Sequence, residues 1–287
     1  ITPAMPTGSS LKYMMEAFPD RALDAGVAEQ PAVTLAAGME TQGFKVFCAI
    51  DSTFLQRAYA QLIHAVALQN LPVIFCLDRA GLVGEDGATH HGVFDIAYLR
   101  CIPNMCIFAP LDEVDLRNML YTAQNIDLQH PLAIRYPRGR GSKKDWKLPF
   151  KEVEIGKARR LKEGSEIAVL SLGAIGINAV NAIESLSEKE KFAHFDMRFA
   201  KPLDEDLLHE VFKKFKKVVT LEDGVLSGGF GSAVLEFAQR NKYFVPVEVL
   251  GIPDKFIDHG KVVELQEIAK IDVKNLSNIF SSLLNRL

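Results

Sequence analysis

The sequence predicts an α/β protein of two domains, each a parallel sheet covered by helices. Three observations lead there. Short apolar runs of strand length alternate with helix-period segments along most of the chain. One polar stretch, 139–148, carries Gly, Ser, Lys and the lone Trp and breaks that alternation once. The length of 287 residues, 48% of them hydrophobic, supplies enough apolar material for two cores.

In the first half, 45–50 reads as a strand and 54–69 as a helix. A strand follows at 72–77, then a polar, Gly-rich loop at 78–92. The segments 95–101, 105–109, 112–125 and 132–136 read as helix, strand, helix and strand. Alternation of this kind places helices over a parallel sheet. Residues 1–142 form the first expected domain, 143–152 the linker and 153–287 the second domain. There, strands are expected at 167–172, 192–196, 218–222 and 245–250, with helices at 175–186, 204–215 and 229–241 and two short ones at the end. The helix at 204–215 opens on an acidic turn, which suits its dipole.

The formal charge is -3, and no basic stretch resembles a nucleic-acid footprint. The Lys-rich run 213–217 is expected to face solvent from a helix end. No apolar run is long enough to span a membrane, and no signal peptide is read. The chain opens on Ile1 rather than Met, which reads as a fragment or a processed product. Cys48, Cys76, Cys101 and Cys106 match no zinc spacing and are expected to be buried free thiols of a cytoplasmic protein.

Five segments carry candidate chemistry. Asp24 to Gln30 leads from a short strand into a helix, where a carboxylate either caps the helix or serves a site. In Ser52 to Tyr59, Phe54 and Arg57 share a helix face and would hold a flat ring and an anion, or would be one core aromatic and one surface cation. The loop 78–92 contains Arg79, Glu85, Asp86, His90 and His91 at the carboxyl end of a buried strand, where open α/β sheets place ligands. Arg138, in Arg135-Tyr136-Pro137-Arg138-Gly139-Arg140, would converge with Arg79 on a phosphate or carboxylate, or would be solvated linker charge. The glycines of Ser227 to Ser232 lack the GxGxxG register and read as tight strand–helix packing.

Taken in this order, the strings Ala28-Glu29-Gln30, Ser52-Thr53-Phe54-Leu55-Gln56-Arg57-Ala58-Tyr59, Asp78-Arg79-Ala80-Gly81, Thr89-His90 and Arg135-Tyr136-Pro137-Arg138-Gly139 resemble the 1-deoxy-D-xylulose-5-phosphate synthase family. So do Asp196-Met197-Arg198-Phe199, Lys201-Pro202-Leu203-Asp204 and the Gly-Gly-x-Gly-Ser loop. The resemblance implies a thiamine-diphosphate pyrimidine-binding domain followed by a transketolase C-terminal domain. It implies that Glu29 meets N1′ of the cofactor's aminopyrimidine and that Phe54 stacks on that ring, with Arg57 and Asp86 nearby. It further implies that Arg79 and Arg138 bind the phosphate of glyceraldehyde 3-phosphate, that His90 serves proton transfer or holds intermediates, and that pyruvate is the donor.

The same resemblance implies that the diphosphate and Mg²⁺ are held by an N-terminal domain not represented here, so no metal ligands are assigned in this chain, which is expected to be inactive alone. A homodimer is among the expected assemblies. Four positions depart from the family pattern: Pro31 in place of His, Asp51 in place of Tyr, and Ala60 and Ala65 in place of acids. Asp51 would set a carboxylate beside an anion site. These departures leave two alternatives open: a silent or engineered folding module of that family, and a β-type subunit of a 2-oxoacid dehydrogenase that needs an α partner.

Overall fold

The computed structural model describes residues 1–141 and 145–286; the expected boundary at 142/143 lies outside the described residues. In the first half, β1 (Phe47–Asp51), β2 (Ile74–Asp78), β3 (Cys106–Phe108) and β4 (Leu132–Arg135) form a parallel sheet in the order β1-β2-β4-β3. Every residue of β2, β3 and β4 is buried, as a parallel sheet covered on both faces requires. The second half contains β5 (Arg159–Lys162), β6 (Ile167–Ser171), β7 (Phe192–Asp196), β8 (Phe199–Lys201), β9 (Lys217–Val225) and β10 (Val247–Ile252). Its sheet runs β10-β9-β6-β7-β5, parallel except for β5 on β7.

β8 leaves that sheet. It pairs antiparallel with β3 and so closes the edge of the first sheet with a strand from the second half. Neither β5 nor β8 was expected from the sequence: β5 reads Arg-Arg-Leu-Lys, and β8 has only three residues.

The helices are α1 (Lys12–Ala17), α2 (Glu29–Glu40), α3 (Tyr59–Gln61), α4 (Asp95–Arg100), α5 (Glu113–Asn125), α6 (Gly176–Glu184), α7 (Glu205–Lys214), α8 (Phe230–Arg240), α9 (Val262–Ile268) and α10 (Val273–Leu284). The single helix expected at 54–69 is a composite, with a tight 3₁₀ turn at Phe54–Ala58, then α3, then a wide π turn at Leu62–Ala67. The changing period keeps Leu55, Ala58, Leu62 and Val66 buried on one side. Asp112 caps α5 by accepting from the Val114 and Asp115 amides, and Asp204 caps α7 by accepting from Leu207 N.

The two halves share their core. One buried cluster joins Phe75, Leu77 and Ala109 of the first half to Ala168, Phe195, Phe230 and Phe237 of the second. Three local expectations are corrected. Cys101 is exposed, because it lies just past α4 with Sγ 3.3 Å from the Tyr59 hydroxyl. Lys217 is buried at the start of β9, where its ammonium donates to the Leu283 carbonyl at 3.3 Å. The strand expected before Asp24 is only an isolated bridge from Thr2 to Asp24.

Candidate active site

The strands of the first sheet end at Asp51, Asp78 and Arg135, so the chain places three charged side chains along the sheet's carboxyl edge. Around this edge lie the first turn of α2, the Phe54–Ala58 turn and the loop after β2.

Glu29 is the first residue of α2, preceded by Ala28, whose side chain cannot cap. It is only 7% exposed, and its Oε2 lies 3.4 Å from Arg57 Nε. The carboxylate therefore sits where the helix dipole favours an anion, next to a cation from a neighbouring turn. Asp24 is used differently: its Oδ1 accepts from the Ala4 and Gly26 amides at 2.8 and 2.9 Å and shapes the preceding turn. Phe54 shares the turn of Arg57 and meets the His90 ring edge-on, with centroids 5.4 Å apart. Thr53 Oγ1 donates to the Thr89 carbonyl at 3.2 Å and ties the His90 loop to the same turn. Glu29 with Arg57, and Phe54 with His90, thus form two contacting pairs, joined by the turn that carries both Phe54 and Arg57.

Asp86 does not join them. It pairs with Arg138 at 2.6 Å on the outer side of the loop, with both side chains nearly half exposed. Arg79 Nη1 lies between two carboxylates, 3.0 Å from Asp51 Oδ1 and 2.7 Å from Asp78 Oδ2. The expected repulsion at Asp51 is therefore not the arrangement found, because Asp51 is ion-paired to Arg79. Burial first, and the neighbouring Asp51 second, push the Asp78 carboxyl up to about 7. Arg79 and Arg138 do line one cavity of about 650 Å³, together with Ser9, Tyr136 and Arg140. Each enters it already paired with acids of this chain.

A buried polar network beneath this edge was not anticipated. Arg135 donates from Nε to Asp95 at 2.8 Å and from Nη1 to Asp223 at 2.6 Å, while Ser52 Oγ donates to Asp95 at 3.0 Å. The available signal was an arginine ending an otherwise apolar buried strand, a position that needs a partner. His91, named in the loop without a role of its own, has a structural one. Its Nδ1 accepts from Val83 N at 3.1 Å, which makes Nε2 the donor to the Asp258 carbonyl at 3.2 Å and fixes one neutral tautomer. His91 thereby fastens the site loop to the second half.

The glycine loop before α8 is a packing device. Glu222 accepts from the Phe230 and Gly231 amides at 2.9 and 2.8 Å, so the chain's own carboxylate fills the α8 N-terminus. A Cβ on Gly231 would stand 2.3 Å from Val249 Cγ1. Among the described residues, no group of three or more His, Cys, Asp or Glu is arranged to hold a metal ion.

Two α/β sheets of mostly parallel strands, in this order, match one class of protein. The chain belongs to the transketolase family: the family described as Transketolase, pyrimidine binding domain matches residues 1–143, and Transketolase, C-terminal domain matches residues 156–276. Within that class, which is thiamine-diphosphate-dependent, its curated relatives include 1-deoxy-D-xylulose-5-phosphate synthases. The chain is 55% identical to that of Cytophaga hutchinsonii over 97% of this chain and 45% of the relative. It is 52% identical to that of Bacteroides fragilis over 98% of this chain and 44% of the relative. The chain therefore spans less than half the length of these relatives. A solved structure described as a split gene transketolase, inactive β4 tetramer, superposes with a TM-score of 0.85 at 29% identity, covering 99% of this chain and 91% of that one. Campylobacter jejuni transketolase shares the fold at 18% identity and a TM-score of 0.72, covering 98% of this chain and 43% of that one.

Proposed function

We propose that this chain is the pyrimidine-binding and C-terminal portion of a cytoplasmic 1-deoxy-D-xylulose-5-phosphate synthase, which joins pyruvate to glyceraldehyde 3-phosphate with loss of carbon dioxide. Glu29 carries the reading. Its carboxylate is buried, one oxygen faces Arg57, and the other has no hydrogen-bond partner among the described residues. An acceptor of that kind fits a ring nitrogen that must gain and hold a proton. Thiamine diphosphate, when bound, supplies the nucleophilic carbon that attacks the donor ketoacid.

The chain's own residues orient and balance. Glu29 holds the proton at N1′ of the pyrimidine, and Arg57 balances the Glu29 charge. Phe54 offers an aromatic face to a flat ring. His90, braced against Phe54, holds or moves a proton beside the substrate. Arg79 and Arg138 take the acceptor's phosphate in the cavity they share. Asp86 acts on Arg138 rather than on the cofactor. The diphosphate and its Mg²⁺ are assigned to another domain or polypeptide, a reading supported by the closure of the α8 N-terminus by Glu222.

A second reading has one observation in its favour. The close superposition on the split-gene transketolase suits a chain made separately, which assembles with copies of itself and with a partner that supplies the diphosphate site.

The test is pyruvate decarboxylation with glyceraldehyde 3-phosphate as acceptor. The chain alone is expected to form no product, because the cofactor would be held at one end only and small misplacement costs orders of magnitude in rate. Adding the N-terminal domain of the Cytophaga hutchinsonii relative should restore a little turnover, more after Pro31→His and Asp51→Tyr, and none after Glu29→Ala. Complete inactivity of every combination would sink the synthase reading.

A further inference from the structure

We infer that anion binding at Arg79 is proton-coupled: a dianion takes the guanidinium only as the Asp51–Asp78 carboxylate pair takes up a proton, which makes Asp51 a specificity-determining residue. The inference rests on the proposal that Arg79 faces the acceptor's phosphate, and it adds to that proposal the condition under which phosphate is accepted.

The argument starts from strand register. β1 and β2 run parallel, with Asp51 opposite Asp78 as the last residue of each. Both strands therefore deliver a carboxylate to one point, where like charges repel. Both side chains are largely shielded, at 3% and 11% exposure. The backbone at Arg79 then turns into the left-handed region, with φ at 55°, a conformation few non-glycine residues adopt. That turn returns the guanidinium between the two acids, within 3.0 Å of both through the single nitrogen Nη1. One cation thus faces two carboxylates, and the cluster is formally one negative charge in excess unless a proton is shared. Burial and mutual repulsion supply the proton affinity, and Asp78 is pushed up to about 7.

Among the described residues, no other group facing the pair competes for that proton. Tyr136, packed from the end of β4, has its hydroxyl pushed well above its ordinary range by burial and stays neutral. Cys76, below in β2, is pushed up to about 12 by burial and is a neutral thiol. The N-terminal segment brings Gly8 against the guanidinium and lines the cavity with Ser9 and Ser10, none of them charged. Across the cavity, Arg138 is paired with Asp86, while Asp112, Glu113 and Arg140 form the remaining charged wall. An incoming dianion that competes for Nη1 leaves two buried carboxylates facing it with their cation withdrawn. A proton on the pair removes one negative charge and frees one acceptor from the guanidinium. Linkage then requires affinity to fall about tenfold per pH unit above neutrality when one proton is taken up per anion.

Sulfate is the probe, because it stays doubly charged from pH 6 to 9, and titration calorimetry of the whole chain in two buffers of different protonation enthalpy counts protons. The wild-type chain is expected to take up about one proton per sulfate at pH 8 and to bind about tenfold more weakly at pH 9 than at pH 8. Asp51→Asn should bind at least tenfold more tightly than wild type at pH 8, without proton uptake. Asp78→Asn removes the same charge from the neighbouring strand and should behave alike if Asp51→Asn folds poorly. Arg79→Gln should not bind. Sulfate bound through Arg79 with equal affinity at pH 7 and 9 and no proton uptake overturns the inference and leaves the phosphate assignment standing. Failure of every form to bind sulfate, Asp51→Asn included, overturns both.

Discussion

Arg135 donates to Asp223 at 2.6 Å, and this ion pair joins the end of a strand in the first sheet to a strand in the second. Arg135 is 2% exposed and holds Asp95 with its other face, so one guanidinium neutralises acids from both halves. Asp223 in turn lies against Gly81: a Cβ there would stand 2.4 Å from its Oδ2. The site loop, the first sheet and the second sheet are thus fastened at one buried point.

Arg135→Met is therefore expected to destabilise the chain by about 3–5 kcal/mol, because it leaves two carboxylates without their cation. Adding Asp223→Asn to that variant should recover part of the loss. Urea denaturation monitored by circular dichroism measures both. A single variant within about 0.5 kcal/mol of wild type would show that water replaces the guanidinium at no cost.

Stability should fall as pH rises from 6.5 to 8. Asp78, Asp196 and Glu222 are each raised to about 7, chiefly by burial. Between their ordinary range and 7 the folded chain holds more protons than the unfolded one, so folding is favoured on the acid side and weakens through 7. His194 has the opposite sign. Burial lowers it to about 4, and its contribution is lost only as pH drops below its ordinary 6.5, outside this window. Each carboxyl contributes roughly 1 kcal/mol across the window. A melting temperature that rises toward pH 8 would contradict the assignment, and Asp196→Asn should make the slope shallower.

Strands buried on both faces were legible because an unbroken apolar run has few alternatives in an alternating α/β pattern. β8 was not, since its three residues become a strand only through pairing with β3 from the other half, a tertiary fact that local composition does not carry. The site divides in the same way. Glu29, Phe54, Arg57 and His90 stand out as motif residues and lie together in the structure. The pairing of Arg79 with Asp51 depends on the register of β1 against β2 and on a left-handed residue, neither of which spacing reveals. Asp86 was placed near the cofactor by the resemblance, yet the loop turns its side chain out to Arg138.

The α8 N-terminus offers a sharper packing test. Glu222 uses one oxygen for each of two amides, so Glu222→Gln leaves one buried N–H facing an NH₂ group and should cost about 1–3 kcal/mol. Gly231→Ala should cost about as much by a separate route, because Val249 Cγ1 and the Thr220 hydroxyl occupy the added methyl's place. If phosphate or sulfate protected Glu222→Gln against unfolding more strongly than it protects wild type, the loop would be an anion site after all.

The last prediction concerns the two halves apart. The pattern of the sequence suggests that each could bury its own core, but the structure shares that core between them. β3 receives β8, Ala109 N donates to the Arg198 carbonyl at 2.8 Å, and the Lys201 ammonium bonds the Arg100 carbonyl at 3.1 Å. Asp115 of α5 is held by Arg159 and by Arg198, at 3.3 Å from the latter, so a buried carboxylate in the first half takes both its cations from the second. Residues 1–141 alone would keep Asp115 without a partner, expose the free edge of β3 and uncover Phe108, which packs on Phe199 with ring centroids 5.1 Å apart. An open edge beside uncovered apolar surface favours association with other chains. Expressed alone, that half should aggregate or melt without cooperativity, whereas mixing it with residues 145–287 during refolding should restore a single transition. A monomeric, cooperatively melting 1–141 with fixed near-ultraviolet aromatic signals would show that the shared strand and the buried ion pairs dispense with each other.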